Sequence, residues 1–401
     1  MRTSPMLEFP LSEYEKRISD LTVNLQQAGL DGIMITGMEN VRYYTGLQSV
    51  IWPSKLSTPG LALVSAAGDL YLVGSASAQD TARYSACVED EHVIHFSRNG
   101  EPGVARTYPE AIMNTMRRMG LQNGRLGIEM GSGTRLHLQM QWMEEIRGTM
   151  TGMTFVDAGQ LIWAQRAVKS PAEIEVMRKL CAINDHCYQY AFEHVELGKT
   201  TEMGLYRIFA QEAFRQHCEN VPPIGILFGE GRYLNGNCPP SDEIVITNTP
   251  HAVLQIDGGP KYHGYVADII RTAVVGGMTP EQEMLMDASY DALEYALGMI
   301  RAGANVKEIC QKLDEHVAAG PAAESYRMYT WAGHGIGLDI HEPPTIALSC
   351  DMELKTGMVL AVEPVFGTAQ LGIFGNEENI LVTETGYELL SKSPRTPFIL
   401  T

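Results

Sequence analysis

Two stretches in the second half of the chain set carboxylates into sequence that otherwise reads as buried β-structure. The first is AVLQIDGGPKYHGYVADIIRTAVVGG and the second is MVLAVEPVFGTAQLGIFGNEENILVT. Each has apolar arms around a Gly-containing turn, the pattern of a β-hairpin. In the first, a turn over Pro260–Gly264 places Asp257 and Asp268 at equal distances from its centre. In the second, Glu363 and Glu377 are symmetric about residue 370. Directly opposed residues of an antiparallel pair have Cβ atoms about 5 Å apart. Two carboxylates that close repel unless one is protonated or a cation lies between them. A chain holding two such pairs must therefore fold so that a proton or a metal ion neutralises them.

Between the hairpins runs WAGHGIGLDIHEPP, with His334 and His341 seven positions apart around a glycine-rich segment. Four carboxylates and an imidazole suit hard to borderline divalent ions such as Mn, Fe, Co or Zn. Two ions about 3.5–4 Å apart would absorb that much negative charge. A structural zinc site would instead call for closely spaced cysteines. The seven cysteines show no CxxC spacing, and reduced thiols in a cytoplasmic protein are the economical reading.

At 401 residues the chain is long enough for two domains. Residues 1–160 alternate helical and strand patterns: EYEKRISDLTVNLQQAGL reads as an amphipathic helix, DGIMITG as a buried strand, and GLALVSAAGDLYLVG as two strands about a turn. Ser170-Pro171 with Glu173 is a strong helix start. A second domain over 161–401 carries helical patterns at 200–218, 280–302 and 305–319 between strand pairs. The expected class is α+β, a small α/β domain followed by a larger catalytic one. A net charge of −18 speaks against nucleic acid and against an anionic membrane surface. No secretory signal is visible, and no apolar stretch approaches the roughly 18 residues of a membrane span.

With these motifs in hand, the chain resembles the pita-bread-fold metalloenzymes, which include methionine aminopeptidase, prolidase, aminopeptidase P, creatinase and a branch of dimethylsulfoniopropionate lyases. NVRYYTGL and VKSPAEIEVMRK are similar to the creatinase-like N-terminal domain and junction helix of the larger members. The family's Asp, Asp, His, Glu, Glu ligand order matches Asp257 in QIDGG, Asp268 in VADIIRT, His334 in GHGIG, Glu363 in VEP and Glu377 in NEENILVT. The resemblance implies a pita-bread catalytic domain, two divalent metal ions and a homodimer acting on a small molecule. It also implies that His341 lies beside the substrate. Trp52 is a candidate to reach a partner's site.

Three residues expected of peptidase members are missing. Asn237 and Cys238 stand where a histidine is expected, Thr330 stands four before the metal histidine, and Gly375 replaces an arginine. Amide hydrolysis must protonate an amine, whereas β-elimination of a neutral thioether needs only a base and a clamp for the carboxylate. The chain is accordingly expected to be a lyase cleaving dimethylsulfoniopropionate to dimethyl sulfide and acrylate. Tyr329 or His341 would serve as base, and Phe228, Tyr233, Tyr329 and Trp331 would cage the cation. The alternative is an Xaa-Pro dipeptidase or small-amide hydrolase in which a metal-bound hydroxide attacks the C–N bond. A non-catalytic binding module is the third reading.

Overall fold

The computed structural model describes residues 1–52, 60–229, 238–327 and 331–401. The chain forms two compact units, Met1–Gln165 and Arg166–Thr401.

The first unit is built on one six-stranded sheet. Its strands are β1 (Gly32–Ile35), β2 (Leu61–Ser65), β3 (Leu70–Ser75), β4 (Val93–Phe96), β5 (Gly124–Ile128) and β6 (Met153–Asp157), in spatial order β4-β3-β2-β1-β5-β6. The β1–β2 and β2–β3 pairs are antiparallel, and the others parallel. Among the described residues six α-helices accompany it: α1 (Leu11–Gln27), α2 (Met38–Thr45), α3 (Ala76–Ser85), α4 (Tyr108–Arg118), α5 (Met140–Thr149) and α6 (Gly159–Ala167), the last ending in the second unit. The apolar stripes of α4 and α5, including Ile112, Met116, Met143 and Ile146, are buried with Leu63, Leu126 and Ile128 of the sheet. Glu129 follows β5 and accepts from the Gly37 amide and the Thr36 hydroxyl at 2.8 Å, capping the start of α2.

The second unit opens with α7 (Pro171–Glu193), then α8 (Glu202–Arg215), and later α9 (Pro280–Leu297) and α10 (Val306–Ala318). Ser170 and Glu173 cap α7 reciprocally, the Ser170 hydroxyl accepting from the Glu173 amide at 3.2 Å and the Glu173 carboxylate from the Ser170 amide at 2.9 Å. Thr279 and Gln282 cap α9 the same way. A four-stranded sheet comprises β7 (Gly225–Phe228), β8 (Val253–Gly258), β11 (Ile269–Val275) and β20 (Phe398–Leu400). A small ribbon, β9 (Lys261–Tyr262) with β10 (Tyr265–Val266), extends its central hairpin. A five-stranded sheet orders β14 (Glu342–Thr345), β13 (Gly333–Gly335), β15 (Val359–Val362), β18 (Glu378–Val382) and β19 (Tyr387–Leu389). A third sheet joins β12 (Tyr326–Arg327), β16 (Val365–Thr368) and β17 (Gly372–Gly375).

Each helix pair has its own core. Helices α7 and α8 bury Tyr188, Phe192 and Phe209 with Ile226, Leu254 and Ile256 of the four-stranded sheet. Helices α9 and α10 bury Leu285, Leu293 and Leu313 with Leu360, Val362 and Phe374. The fold is α+β, with the carboxylate-bearing strands lying between these two layers of helix and core. Among the described residues no helix is long and apolar enough to cross a membrane.

Candidate metal centre

The second hairpin has the register its sequence symmetry predicts. Val362 faces Glu378 and Val365 faces Gly375, so Glu363 and Glu377 oppose one another at the junction between the two sheets. The first hairpin departs from expectation. Asp257 faces Ile270, not Asp268, because the turn is centred on His263-Gly264 and not on Tyr262-His263. Both turn residues have positive φ, +49° at His263 and +82° at Gly264, the backbone that a tight two-residue hairpin demands. Moving the centre by one residue moves the register by two. Since side chains alternate with period two, Asp257 and Asp268 still share a face and become diagonal neighbours.

The strands and their ends bring the five expected ligands together, with His341 beside them. Ligand-capable atoms of Asp257, Asp268 and Glu377 lie within 4.8 Å of one another, as do those of His334, Glu363 and Glu377, and those of Asp268, His334 and His341. The His334 Nε2 is 3.8 Å from Asp268, 3.5 Å from Glu363 and 3.9 Å from Glu377. Its Nδ1 is 3.0 Å from the Gly335 carbonyl, which accepts its proton and turns the Nε2 lone pair toward the acids. Burial, with His341 beside it, pulls its pKa down to about 3 and keeps the ring neutral.

The acids are electrostatically unbalanced. Burial pushes Asp257 up to about 6, and burial together with Asp257 pushes Glu363 up to about 8. Asp268 and Glu377 are driven well above the usual carboxylate range by burial and then by the neighbouring acids. Asp268 Oδ1 and both Glu377 oxygens are buried and find no donor among the described residues. Buried carboxylate oxygens with no donor are costly. Oxygen-rich donors with one neutral imidazole are the set that divalent cations of the Mn–Zn series accept, so the residues present fit metal ions.

Neighbouring groups hold these side chains in place. Asn379 accepts from the Asp268 amide at 3.1 Å and donates to its carbonyl at 2.5 Å. Arg271, fully buried, donates to the Glu377 carbonyl at 2.7 Å and to Glu378 at 2.9 Å. The Trp331 indole donates to Glu363 at 2.9 Å. Trp331 and His341 are 5.2 Å apart between ring centres, and His341 lies 4.5 Å from His334, edge to face. Both are thus drawn to the cluster.

The other expected site residues are not brought to the cluster by any described contact. Phe228 pairs with Leu254, whose side chain points away from the Asp257 face, and it is buried in the α7–α8 core. This corrects its assignment to a cation cage. Trp52 lies in the first unit, partly buried with its indole nitrogen unpartnered among the described residues. Tyr233 and Tyr329 lie outside the described residues, as do Asn237 and Thr330. Sequence reasoning missed the buried Glu342, which receives Arg166 and, at 3.1 Å, Lys169. The only sequence cue is its place directly after His341.

Residues 17–168 match the creatinase/prolidase N-terminal domain. Residues 175–384, a span containing all five clustered side chains, match metallopeptidase family M24. The chain belongs to metallopeptidase family M24. Enzymes of this family use divalent metal ions, in keeping with the donor set described above. An uncharacterised peptidase of Bacillus subtilis, YqhT, is 24% identical over 93% of this chain and 97% of its own. The Xaa-Pro dipeptidase of Pyrococcus furiosus is 27% identical over 67% of this chain and 74% of its own. The Xaa-Pro dipeptidase structure from Bacillus anthracis superposes with a TM-score of 0.80 at 22% identity, covering 96% of this chain and all of that one, and shows the shared fold. These M24 relatives support a hydrolase and give no support to the dimethylsulfoniopropionate lyase expected from the sequence. That expectation rested on the missing peptidase-type residues at Asn237–Cys238, Thr330 and Gly375, and on an aromatic cage that included Phe228, which lies on the other side of its sheet from Asp257.

Proposed function

We propose that this M24 enzyme hydrolyses the C–N bond of a small carboxylate-bearing amide, an Xaa-Pro dipeptide in the first instance. The observation carrying this reading is the set of donorless carboxylate oxygens on Asp268 and Glu377, facing His334 and completed by Asp257 and Glu363. These five side chains would hold the divalent ions, which supply Lewis acidity toward a carbonyl and an activated water. The chain's own residues do the rest. Gly335 fixes the His334 tautomer, and Trp331 orients Glu363. His341, exposed at the rim and edge-on to His334, stands where it can donate a hydrogen bond to the oxygen that gains charge as the amide carbon becomes tetrahedral. It is also positioned to pass a proton to the departing amine.

The Xaa-Pro substrate class is supported by relatives bearing the name Xaa-Pro dipeptidase. A homodimer and a cytoplasmic setting belong to the same proposal, the second resting on seven free cysteines. The test is hydrolysis of Ala-Pro and Gly-Pro by protein reconstituted with Mn, Fe, Co or Zn, alongside elemental analysis and light scattering for mass. Turnover that disappears with a chelator and returns with metal is expected. Stoichiometric metal with no turnover across a panel of dipeptides and small amides would overturn the activity, and absence of bound metal would overturn the site.

A further inference from the structure

The loop 336–341 that ends in His341 is wrapped around a carboxylate that the reaction does not use. Glu342 is buried and begins β14. One of its oxygens receives Arg166 and the Asp339 amide, the latter at 3.1 Å, and the other receives the Lys169 ammonium at 3.1 Å. Arg166 also reaches Asp339 at 3.0 Å, so two cations and two anions close a compact set. Burial works against the charge on Glu342, yet Arg166 and Lys169 outweigh it and hold the carboxyl down at about 2. The chain makes room for this group: a Cβ on Gly337 would lie 2.7 and 2.8 Å from its two oxygens. The Gly337 carbonyl is in turn tied to the Val266 amide at 2.8 Å, and its amide to the Asp339 carbonyl at 3.1 Å.

We propose that Glu342 is a positioning residue: clamped by Arg166 and Lys169, it fixes the 336–341 loop and so presents the His341 imidazole to the metal cluster. No described hydrogen bond holds the His341 ring itself. Its place is set by the backbone it shares with Glu342 and by the flanking rings of Trp331 and His334. The buried ions therefore determine where that ring stands. Such a set retains its geometry because breaking one partner leaves an uncompensated buried charge. The two cations come from the end of α6 and the segment before α7, so the same contact ties that segment to the site loop.

The proposal rests on the reading above that His341 acts on substrate, and one measurement is chosen to stand without it. In protein carrying labelled histidine, the His341 ring signal is assigned by its loss in His341→Ala. Glu342→Gln should shift or broaden that signal while the protein stays folded and binds metal in the same ratio. Turnover of Ala-Pro should fall about tenfold or more in kcat with KM changed less than about threefold. In the double variant with His341→Ala the losses should not multiply, since both act through one ring. Glu342→Asp, which keeps the charge, should recover part of the loss. Should Glu342→Gln fail to fold, Lys169→Met leaves the Arg166 contact in place and is read by the same signal and the same double variant. An unmoved His341 signal, or losses that multiply, overturns the proposal. A moved signal in a protein inactive on every amide would instead sink the hydrolase reading and leave the clamp standing.

Discussion

At the scale of single residues, the decisive fact is that Asp257, Asp268, Glu363 and Glu377 are held together with no Lys or Arg ion-paired to them among the described residues, the buried Arg271 only partly offsetting the charge on Glu377. Their raised pKa values fix the sign of a stability effect. A carboxyl whose folded pKa lies above its unfolded one stabilises the fold fully below the unfolded value and loses that contribution as pH rises through the folded value. For Asp257 and Glu363 that window runs from about 4 to between about 6 and about 8. Metal-free protein should therefore melt at progressively lower temperature between pH 5 and pH 8. Metal-loaded protein should not, so the gap between the two scans widens with pH. Glu377→Gln inverts the usual result of losing a site residue. Removing one buried like charge should raise metal-free stability by about 1–3 kcal/mol in urea titrations while abolishing bound metal. Gly337→Ala should cost about 1–3 kcal/mol in the same titrations, because its Cβ enters the space of the Glu342 carboxylate.

At the scale of elements, the hairpins show what a sequence can and cannot specify. The second hairpin was legible because its arms are symmetric about a turn with no competing centre, and its register follows. The first offered two turns, and Pro260 drew the centre one residue early. The observed centre uses His263-Gly264, where an imidazole residue stands in for the more familiar Asn before Gly. Gly264→Val forces a branched side chain into left-handed backbone and should lower stability by about 1–2 kcal/mol, measured by denaturant unfolding of metal-loaded protein. The start of α7 was legible from Ser170, Pro171 and Glu173 alone. The side of the sheet that Phe228 faces was not, because it depends on how β7 registers against β8, a pairing across 25 intervening residues with no tight turn to fix it. The Glu342 clamp was hidden for the same reason: its cations lie more than 170 positions upstream.

At the scale of the whole molecule, the second unit collects its candidate ligands from five separate places between residues 257 and 377: Asp257 and His334 within strands, and Asp268, Glu363 and Glu377 just beyond strand ends. Saturating metal at a hundred times its dissociation constant adds about 2.7 kcal/mol to the folded state. For a unit of this size that amounts to roughly 5 °C or more. Calorimetry before and after chelation should show that shift in the melting of Arg166–Thr401, and no shift would count against a shared ion. The dispersion of the ligands also governs kinetics. An ion held by side chains from strands of different sheets must break several bonds before it leaves, so its exchange should be slower than any single bond would make it. Metal found in freshly purified protein is then a fossil of the cell's supply during folding, and the ion that best serves turnover has to be established by deliberate exchange.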